Sequence, residues 1–120
     1  MGRVTDMPVY DVFGFSSGDL EQVRAALENC LDICFVPRES SFRGDYYSYD
    51  TPNDDQELIL ESNEDPEESG PLYLRFSEFS TVLHVSIIDP SHELARSEEF
   101  AARLQGAITE CKRLEHKVRP

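Results

Sequence analysis

A chain of 120 residues suits one domain with a single hydrophobic core and is too short for two. Its 24 acidic residues against 11 Lys and Arg give a net charge of −13. Such a charge repels nucleic acid and anionic membranes, and it favours fast, salt-sensitive association with cationic surfaces. We therefore expect one domain over residues 1–120 that binds neither nucleic acid nor membrane.

The sequence predicts a cytoplasmic protein. No apolar run approaches the ~20 residues of a membrane span, and the first residues lack the apolar core of a signal peptide. The three cysteines, Cys30, Cys34 and Cys111, are odd in number and contain no CxxC motif. We interpret them as reduced, small, buried hydrophobic residues.

The first third of the chain predicts a strand, a helix and a second strand. Val9–Phe15 is short and rich in β-branched and aromatic residues, as strands are. Ser16 and Asp19 fit a capping box, and apolar residues then recur at helical spacing to about Leu31. Ile33–Val36 predicts the second strand, which the following proline ends before a polar, turn-like segment.

The middle third predicts a hairpin. Asp45–Asp50 and Glu57–Ser62 are strand candidates, and the connection between them contains TPNDD at 51–55, residues of the types that form turns. Side chains alternate between the two faces of a strand. The second strand of the hairpin is thus divided between two faces, with Leu58 and Leu60 on one and Glu57, Ile59 and Glu61 on the other.

The last third predicts a strand and a helix. Residues 63–71 have the composition of a loop, and Leu72–Phe79 is either a short strand or an irregular segment. Thr81–Ile88 is the clearest strand of the chain. The segment from Asp89 to Ser91 opens a helix, with its proline suited to the first turn. The pattern leaves open whether Arg113–Val118 is helix or a short last strand.

This order of elements predicts an α+β fold, namely a ferredoxin-like two-layer sandwich. Its antiparallel sheet would carry two helices on one face, with an acidic hairpin inserted. The other face of the sheet would stay open and would include that hairpin. An exposed sheet face or edge with aromatic residues is a natural place for a partner to bind.

No metal, cofactor or catalytic site is predicted. The histidines His84, His92 and His116 are far apart, and none has a cysteine at zinc-site spacing. The acidic run from Asn53 to Glu57 lacks the glycine and the terminal Glu of a calcium-binding loop. Phosphate-binding glycine loops and the GxSxG motif are absent from the sequence. We therefore expect that the chain is not an enzyme.

The charge is concentrated in residues 45–68, which hold ten acidic residues and no Lys or Arg. Tyrosine beside carboxylate suits Arg and Lys, because the ring offers a cation-π surface and the carboxylate pairs with guanidinium. The predicted partner-binding residues are Asp45, Tyr46, Tyr47, Tyr49, Asp50, Asp54, Asp55, Glu57, Glu61, Glu64 and Asp65. An alternative for Tyr47 and Tyr49 is that they simply pack the strand.

Four short motifs carry a resemblance to a known group of proteins. These are YDVFG at 10–14, GDYY at 44–47, LILESNED at 58–65 and VLHVSII at 82–88. In these motifs the chain resembles small acidic bacterial immunity proteins of contact-dependent and polymorphic toxin systems. The resemblance implies a cytoplasmic protein that binds a cognate, basic toxin and occludes its active site.

Two other functions are compatible with the sequence. One is a regulatory or scaffolding ferredoxin-like module that forms a homodimer through its sheet. The other is a small enzyme, which would need a concave pocket around a titratable residue such as His84.

Overall fold

The structure, a computed structural model, describes residues 9–16, 19–40, 44–50, 56–63, 73, 78–87, 93–108 and 111–118. It is an α+β protein with a six-stranded antiparallel sheet and two helices. The elements in chain order are β1 (Val9–Phe15), α1 (Leu20–Leu31), β2 (Val36–Ser40), β3 (Gly44–Asp50), β4 (Gln56–Ser62), β5 (Thr81–Ile87), α2 (Glu93–Ala107) and β6 (Cys111–Val118).

The strands are arranged in the order β2-β3-β4-β5-β1-β6, and all neighbouring pairs are antiparallel. It follows that β1 runs parallel to β2, and β5 parallel to β6, with other strands between them. A helix connects each of these parallel pairs. The strand β3 and its acidic residues therefore lie next to the β2 edge, far from β6.

One face of the sheet carries the main hydrophobic core. Side chains of α1 and α2, including Val23, Leu27 and Leu104, join one buried cluster with Leu58 and Leu60 of β4. The predicted division of β4 between two faces agrees with its register, and Leu58 and Leu60 share the face that carries this cluster. We call this side the helix face and the opposite side the open face.

A smaller apolar cluster covers part of the open face. Val12 and Val82 are buried there beneath Phe79, which belongs to the segment between β4 and β5. A Cβ built on Gly14 would lie 2.6 Å from the Phe79 ring and 2.7 Å from Leu114 Cδ1. Glycine at position 14 therefore allows Phe79 to approach the sheet closely.

The N-terminus of α1 differs from the prediction. Asp19 is the N-cap, and its carboxylate accepts from the backbone N–H of Gln22 at 2.9 Å. The Gln22 side chain accepts from the Asp19 backbone N–H, which completes a capping box. The prediction that Ser16 and Asp19 form the box was wrong, because the helix begins only at Leu20. The helix ends at Leu31, as predicted, with Asp32 in the left-handed region at φ 57°.

The predicted position of the second strand, Ile33–Val36, was also wrong. It runs from Val36 to Ser40 and so passes through Pro37, which was expected to end it. Proline lacks an N–H donor, but an edge strand needs hydrogen bonds on one side only. Because β2 is the edge of the sheet, the strand continues and Glu39 is brought opposite Asp45.

The C-terminal alternative is resolved in favour of a strand, β6, from Cys111 to Val118. Its register against β1 shifts between Val12 and Phe13, where a bulge occurs. The expected start of α2 at residues 89–91, the turn at 51–55 and all of the loop predicted at 63–71 except Asn63 lie outside the described residues.

Candidate partner-binding surface

Acidic side chains face each other at two places on the β2–β3–β4 part of the sheet. Glu39 lies opposite Asp45, and Asp50 lies opposite Glu57. All four are exposed, and none of them makes an ion pair with a residue that the structure describes. We call these four residues the acidic pairs.

The acidic pairs cost stability. Directly opposite residues in an antiparallel pair have Cβ atoms about 4.5–5.5 Å apart, and like charges at that spacing repel. Asp45, Asp50 and Glu57 were predicted from the sequence as partner-binding residues. Glu39 was missed, because the segment that contains it was interpreted as a turn. The signal that could have found it is the strand period of two, which puts Pro37 and Glu39 on one face and Arg38 on the other.

The three tyrosines are divided between the two faces of β3. Tyr46 is half-buried opposite Arg38 and Glu61, on the open face. Tyr47 and Tyr49 are half-buried on the helix face, where they pack against the main core. Much of the surface of Tyr47 and Tyr49 is therefore used in packing, in agreement with the alternative given for these two residues above.

Tyr47 also takes part in a polar cluster with α1. The Arg24 guanidinium carbon lies 5.3 Å from the centre of the Tyr47 ring. Arg24 pairs with Glu21 at 2.9 Å and with Glu28 at 2.8 Å. The Tyr47 hydroxyl donates to Glu21, and this hydrogen bond, followed by that from Arg24, lowers the pKa of the Glu21 carboxyl below its usual value.

A hollow of about 400 Å³ lies where β2 and β3 approach their connection. The residues that line it are Pro37, Arg38, Glu39, Asp45, Tyr46 and Tyr47, and the alternation of the strands places the side chains of Arg38 and Tyr46 on the opposite face from the other four.

Glu61 has a different environment from the other predicted residues. Its side chain is 0% exposed, and Tyr73 and His84 are both within 2.7 Å of its Oε2 atom. Because a carboxylate only accepts, the Tyr73 hydroxyl and His84 Nε2 are the donors. Glu61 is covered by these side chains and presents no surface to a partner, so we leave it out of the surface proposed below.

The hydrogen bonds continue beyond His84. Its Nδ1 atom lies 2.7 Å from the Tyr10 hydroxyl, and the two rings are stacked. The backbone of Tyr73 is held by Asn63, whose side chain accepts from the Tyr73 N–H at 2.7 Å. The network of Tyr10, His84, Glu61 and Tyr73 thus joins β1, β5 and β4 to the segment between β4 and β5.

A second polar cluster lies near the β6 edge. Asp11 is buried, and its Oδ1 atom lies 3.2 Å from Arg113 Nη2 and 2.6 Å from His116 Nδ1. Arg113 also pairs with Glu98 of α2 at 3.2 Å. On a regular strand, side chains three residues apart point to opposite faces. The bulge in β6 changes this, so that Arg113 and His116 both reach Asp11. The sequence contained no signal for this bulge.

The remaining sequence predictions concern sites and location. Asp54, Asp55, Glu64 and Asp65 lie outside the described residues. Among the described residues there is no group of three His, Cys, Asp or Glu that could hold a metal ion. No helix in the described parts of the chain is long and apolar enough to cross a membrane.

All three cysteines are free, but only Cys111 is buried, whereas Cys34 is exposed and Cys30 is intermediate. The expectation of three buried cysteines was thus wrong for Cys34. It lies just after the end of α1, on a connection that the core does not cover.

The chain was compared with known proteins at the level of family and of sequence. No protein-family model matches it, and no curated protein matches it. The geometry of the acidic pairs and the charge of the chain therefore carry the functional argument.

Proposed function

We propose that this protein is a bacterial immunity protein. In this proposal it acts in the cytoplasm, binds a cognate basic toxin domain, and blocks the active site of the toxin by covering it. The binding surface is the β2–β3–β4 end of the sheet, where the Glu39–Asp45 pair lies on the helix face and the Asp50–Glu57 pair on the open face. The protein has no catalytic role and acts by occlusion alone.

The acidic pairs are the observation that carries the proposal. Like charges directly opposite each other on neighbouring strands are destabilising, so each facing pair lowers the folding stability. Within the described part of the chain no cation offsets that cost. A cationic partner removes the repulsion on binding, so the destabilising charge becomes a favourable term in the complex.

The net charge of −13 supports the same kind of partner. A toxin that acts on a polyanion such as nucleic acid carries a basic active site. An acidic protein is attracted to such a site over a distance and docks quickly at low ionic strength. Association that slows steeply as salt is added is therefore expected.

The fold gives this surface a structural context. We propose that the sheet is a ferredoxin-like two-layer sandwich, extended by the antiparallel pair that contains β3 and β4. In that view two strand-helix-strand units form the underlying two-layer fold, and the additional hairpin carries most of the acidic surface. The exposed side chains of the hairpin can then vary with its toxin partner, while Leu58 and Leu60 remain in the core.

Homodimerisation through the sheet edges receives less support. Exposed strand edges are often protected by proline, lysine or bulges. Here β2 contains Pro37, and β6 contains the bulge and an exposed lysine, Lys112. Both edges therefore carry features that discourage pairing with a second copy.

Charge reversal tests the proposal. The protein is co-expressed with a basic toxin domain encoded beside it, and cell survival and the toxin Kd are measured. The variant Asp50→Lys/Glu57→Lys should weaken binding at least about tenfold, which corresponds to about 1.4 kcal/mol. The control Glu78→Lys/Glu99→Lys makes the same charge change at two exposed residues outside the surface, and it should protect cells as the wild type does. Full protection by the Asp50/Glu57 variant would refute the assignment of the surface.

A further inference from the structure

The hydrogen bonds on the open face form a relay that ends at the hydroxyl of Tyr10. Glu61 Oε2 lies 2.7 Å from His84 Nε2, and His84 Nδ1 lies 2.7 Å from the Tyr10 hydroxyl. A carboxylate only accepts, so the hydrogen of the neutral imidazole is on Nε2. The Nδ1 atom is then the acceptor, and the Tyr10 hydroxyl donates to it.

Burial decreases along the relay. The Glu61 side chain is 0% exposed and that of His84 is 12% exposed, whereas Tyr10 is half-buried. A buried carboxylate orients a histidine ring and stabilises the imidazolium that forms when the ring takes up a proton. The relay therefore places a base, supported by a negative charge, against the hydroxyl at its more exposed end.

The contact between Tyr10 and His84 joins two parts of the fold that are already joined. Their strands, β1 and β5, pair along the whole length of both. The segment between β4 and β5 is held by Tyr73, through Glu61, and by Asn63. The strand pairing and the covering segment therefore do not depend on the Tyr10 hydroxyl.

Tyr47 shows the opposite arrangement. Its hydroxyl donates directly to the Glu21 carboxylate, and this hydrogen bond raises the pKa of Tyr47, because loss of the proton would leave two negative charges side by side. At Tyr10 a neutral imidazole lies between the hydroxyl and the carboxylate. Transfer of the Tyr10 proton to His84 gives phenolate, imidazolium and carboxylate in a row, so that each negative charge lies next to a positive one.

We propose that the Tyr10 hydroxyl is a modification site, which accepts an acyl group from an activated, uncharged donor such as a thioester or an acyl imidazole. The Tyr10 oxygen attacks the acyl carbon while its proton moves to His84 Nδ1, the general base. The bond from the acyl carbon to the leaving group breaks, and the leaving group takes the electron pair and then that proton. The product is an O-acyl tyrosine that stays on the chain.

The charge of the chain selects this class of donor. A net charge of −13 repels the polyanions that donate phosphoryl or nucleotidyl groups, whereas an uncharged acyl donor meets no such barrier. The chemistry at Tyr10 is independent of the proposed function, because it uses the open face over β1 and β5 and none of the acidic pairs.

The test treats the full chain with N-acetylimidazole at pH 7.5 and follows the acetylation of each tyrosine by peptide mass spectrometry. Removal of the acetyl group by hydroxylamine shows that it is held as a phenol ester. The reference is Tyr49, which is half-buried as Tyr10 is but makes no hydrogen bond to a described residue. Tyr10 should react at least about tenfold faster than Tyr49, and Tyr47 should react no faster than Tyr49.

The variant His84→Gln separates base catalysis from exposure. Glutamine keeps an N–H donor for Glu61 but has no basic nitrogen, so the Tyr10 rate should fall at least about tenfold, to the rate of Tyr49. The matched control is Tyr73→Phe, which removes another hydrogen bond of Glu61 and leaves the contact between His84 and Tyr10. Its Tyr10 rate should stay within about threefold of the wild type.

Circular dichroism establishes that each variant is folded before its rates are compared. If His84→Gln does not fold, His84→Asn replaces it, since asparagine also lacks a basic nitrogen, and the same fall is expected. Equal rates at Tyr10 and Tyr49 in the wild type would overturn the proposal by themselves. An undiminished Tyr10 rate in a folded His84 variant would overturn it too, because exposure alone would then account for the reactivity.

Discussion

Replacement of Glu61 by alanine should destabilise the protein strongly, although the sequence placed this residue among the partner contacts. The Glu61 carboxylate is completely buried and accepts hydrogen bonds from the Tyr73 hydroxyl and His84 Nε2, both at 2.7 Å. The variant leaves both donors without their acceptor and opens a cavity between β4 and the segment that covers it. A residue that merely contacts a partner would have no such effect.

The size of the effect follows from the two lost hydrogen bonds. Each hydrogen bond to a charged group contributes about 1.5–3 kcal/mol, and the variant removes two of them. We therefore expect Glu61→Ala to lose about 3–5 kcal/mol of unfolding free energy. Proteins of this kind have about 5–15 kcal/mol in total, so the loss is a large fraction of the stability.

Urea denaturation followed by circular dichroism at pH 7 and 0.15 M salt measures this loss. With a slope of about 2 kcal/mol/M, the midpoint should fall by about 1.5–2.5 M. The control is Glu57→Ala, four residues away on the same strand and the same face, where the side chain is exposed. Its unfolding free energy should stay within about 0.5 kcal/mol of the wild type.

The variant Tyr73→Phe is a second test of the same hydrogen bonds. It removes a single hydroxyl donor, while Glu61 keeps its hydrogen bond to His84. The expected loss is about 1–2 kcal/mol, smaller than that of Glu61→Ala. The reasoning would be refuted if Glu61→Ala unfolded within 1 kcal/mol of the wild type, because the carboxylate could then be neither buried nor hydrogen-bonded as described.

Two further predictions concern packing and thiol chemistry. Gly14→Ala should lower the unfolding free energy measured in urea by about 1–3 kcal/mol, because the added methyl meets the Phe79 ring at 2.6 Å. Gly106→Ala in α2 meets open space and should raise the unfolding free energy by about 0.5–1 kcal/mol. A tolerated Gly14→Ala would contradict the close packing. Burial, with a smaller contribution from a neighbouring cysteine, raises the pKa of the Cys111 thiol from 9.0 to about 12. At pH 8, iodoacetamide should therefore modify exposed Cys34 and spare Cys111 in the folded protein. Because the thiol of Cys111 loses its proton more readily in the unfolded chain, its contribution to the unfolding free energy should be full below pH 9 and be lost as the pH rises towards 12. Rapid modification of Cys111, read by mass spectrometry, would contradict its burial.

Several elements were predictable because their patterns are local. The period of two along Glu57–Ser62 assigned Leu58 and Leu60 to one face, and the structure buries both against the helices. The strand at Thr81 and the helix that ends at Leu31 follow from the same kind of periodicity. The concentration of acidic residues in one stretch is likewise visible without a structure.

Other features depend on contacts between distant segments. Glu57 and Glu61 are the same residue type on the same strand and face, yet one is exposed and the other is buried. The difference comes from Tyr73 and His84, which lie 12 and 23 positions from Glu61 in the chain. Similarly, β2 passes through Pro37 only because the sheet order makes it an edge strand.

The amino-acid sequence by itself determined the faces of the strands, the first helix and the excess of negative charge, since each of these depends on neighbours in the chain. The tertiary structure alone decided which acids are covered and which face one another. Strand register sets those pairings, and long-range packing decides whether a side chain on a given face meets solvent or other side chains. For this reason Glu39 enters the candidate surface and Glu61 leaves it.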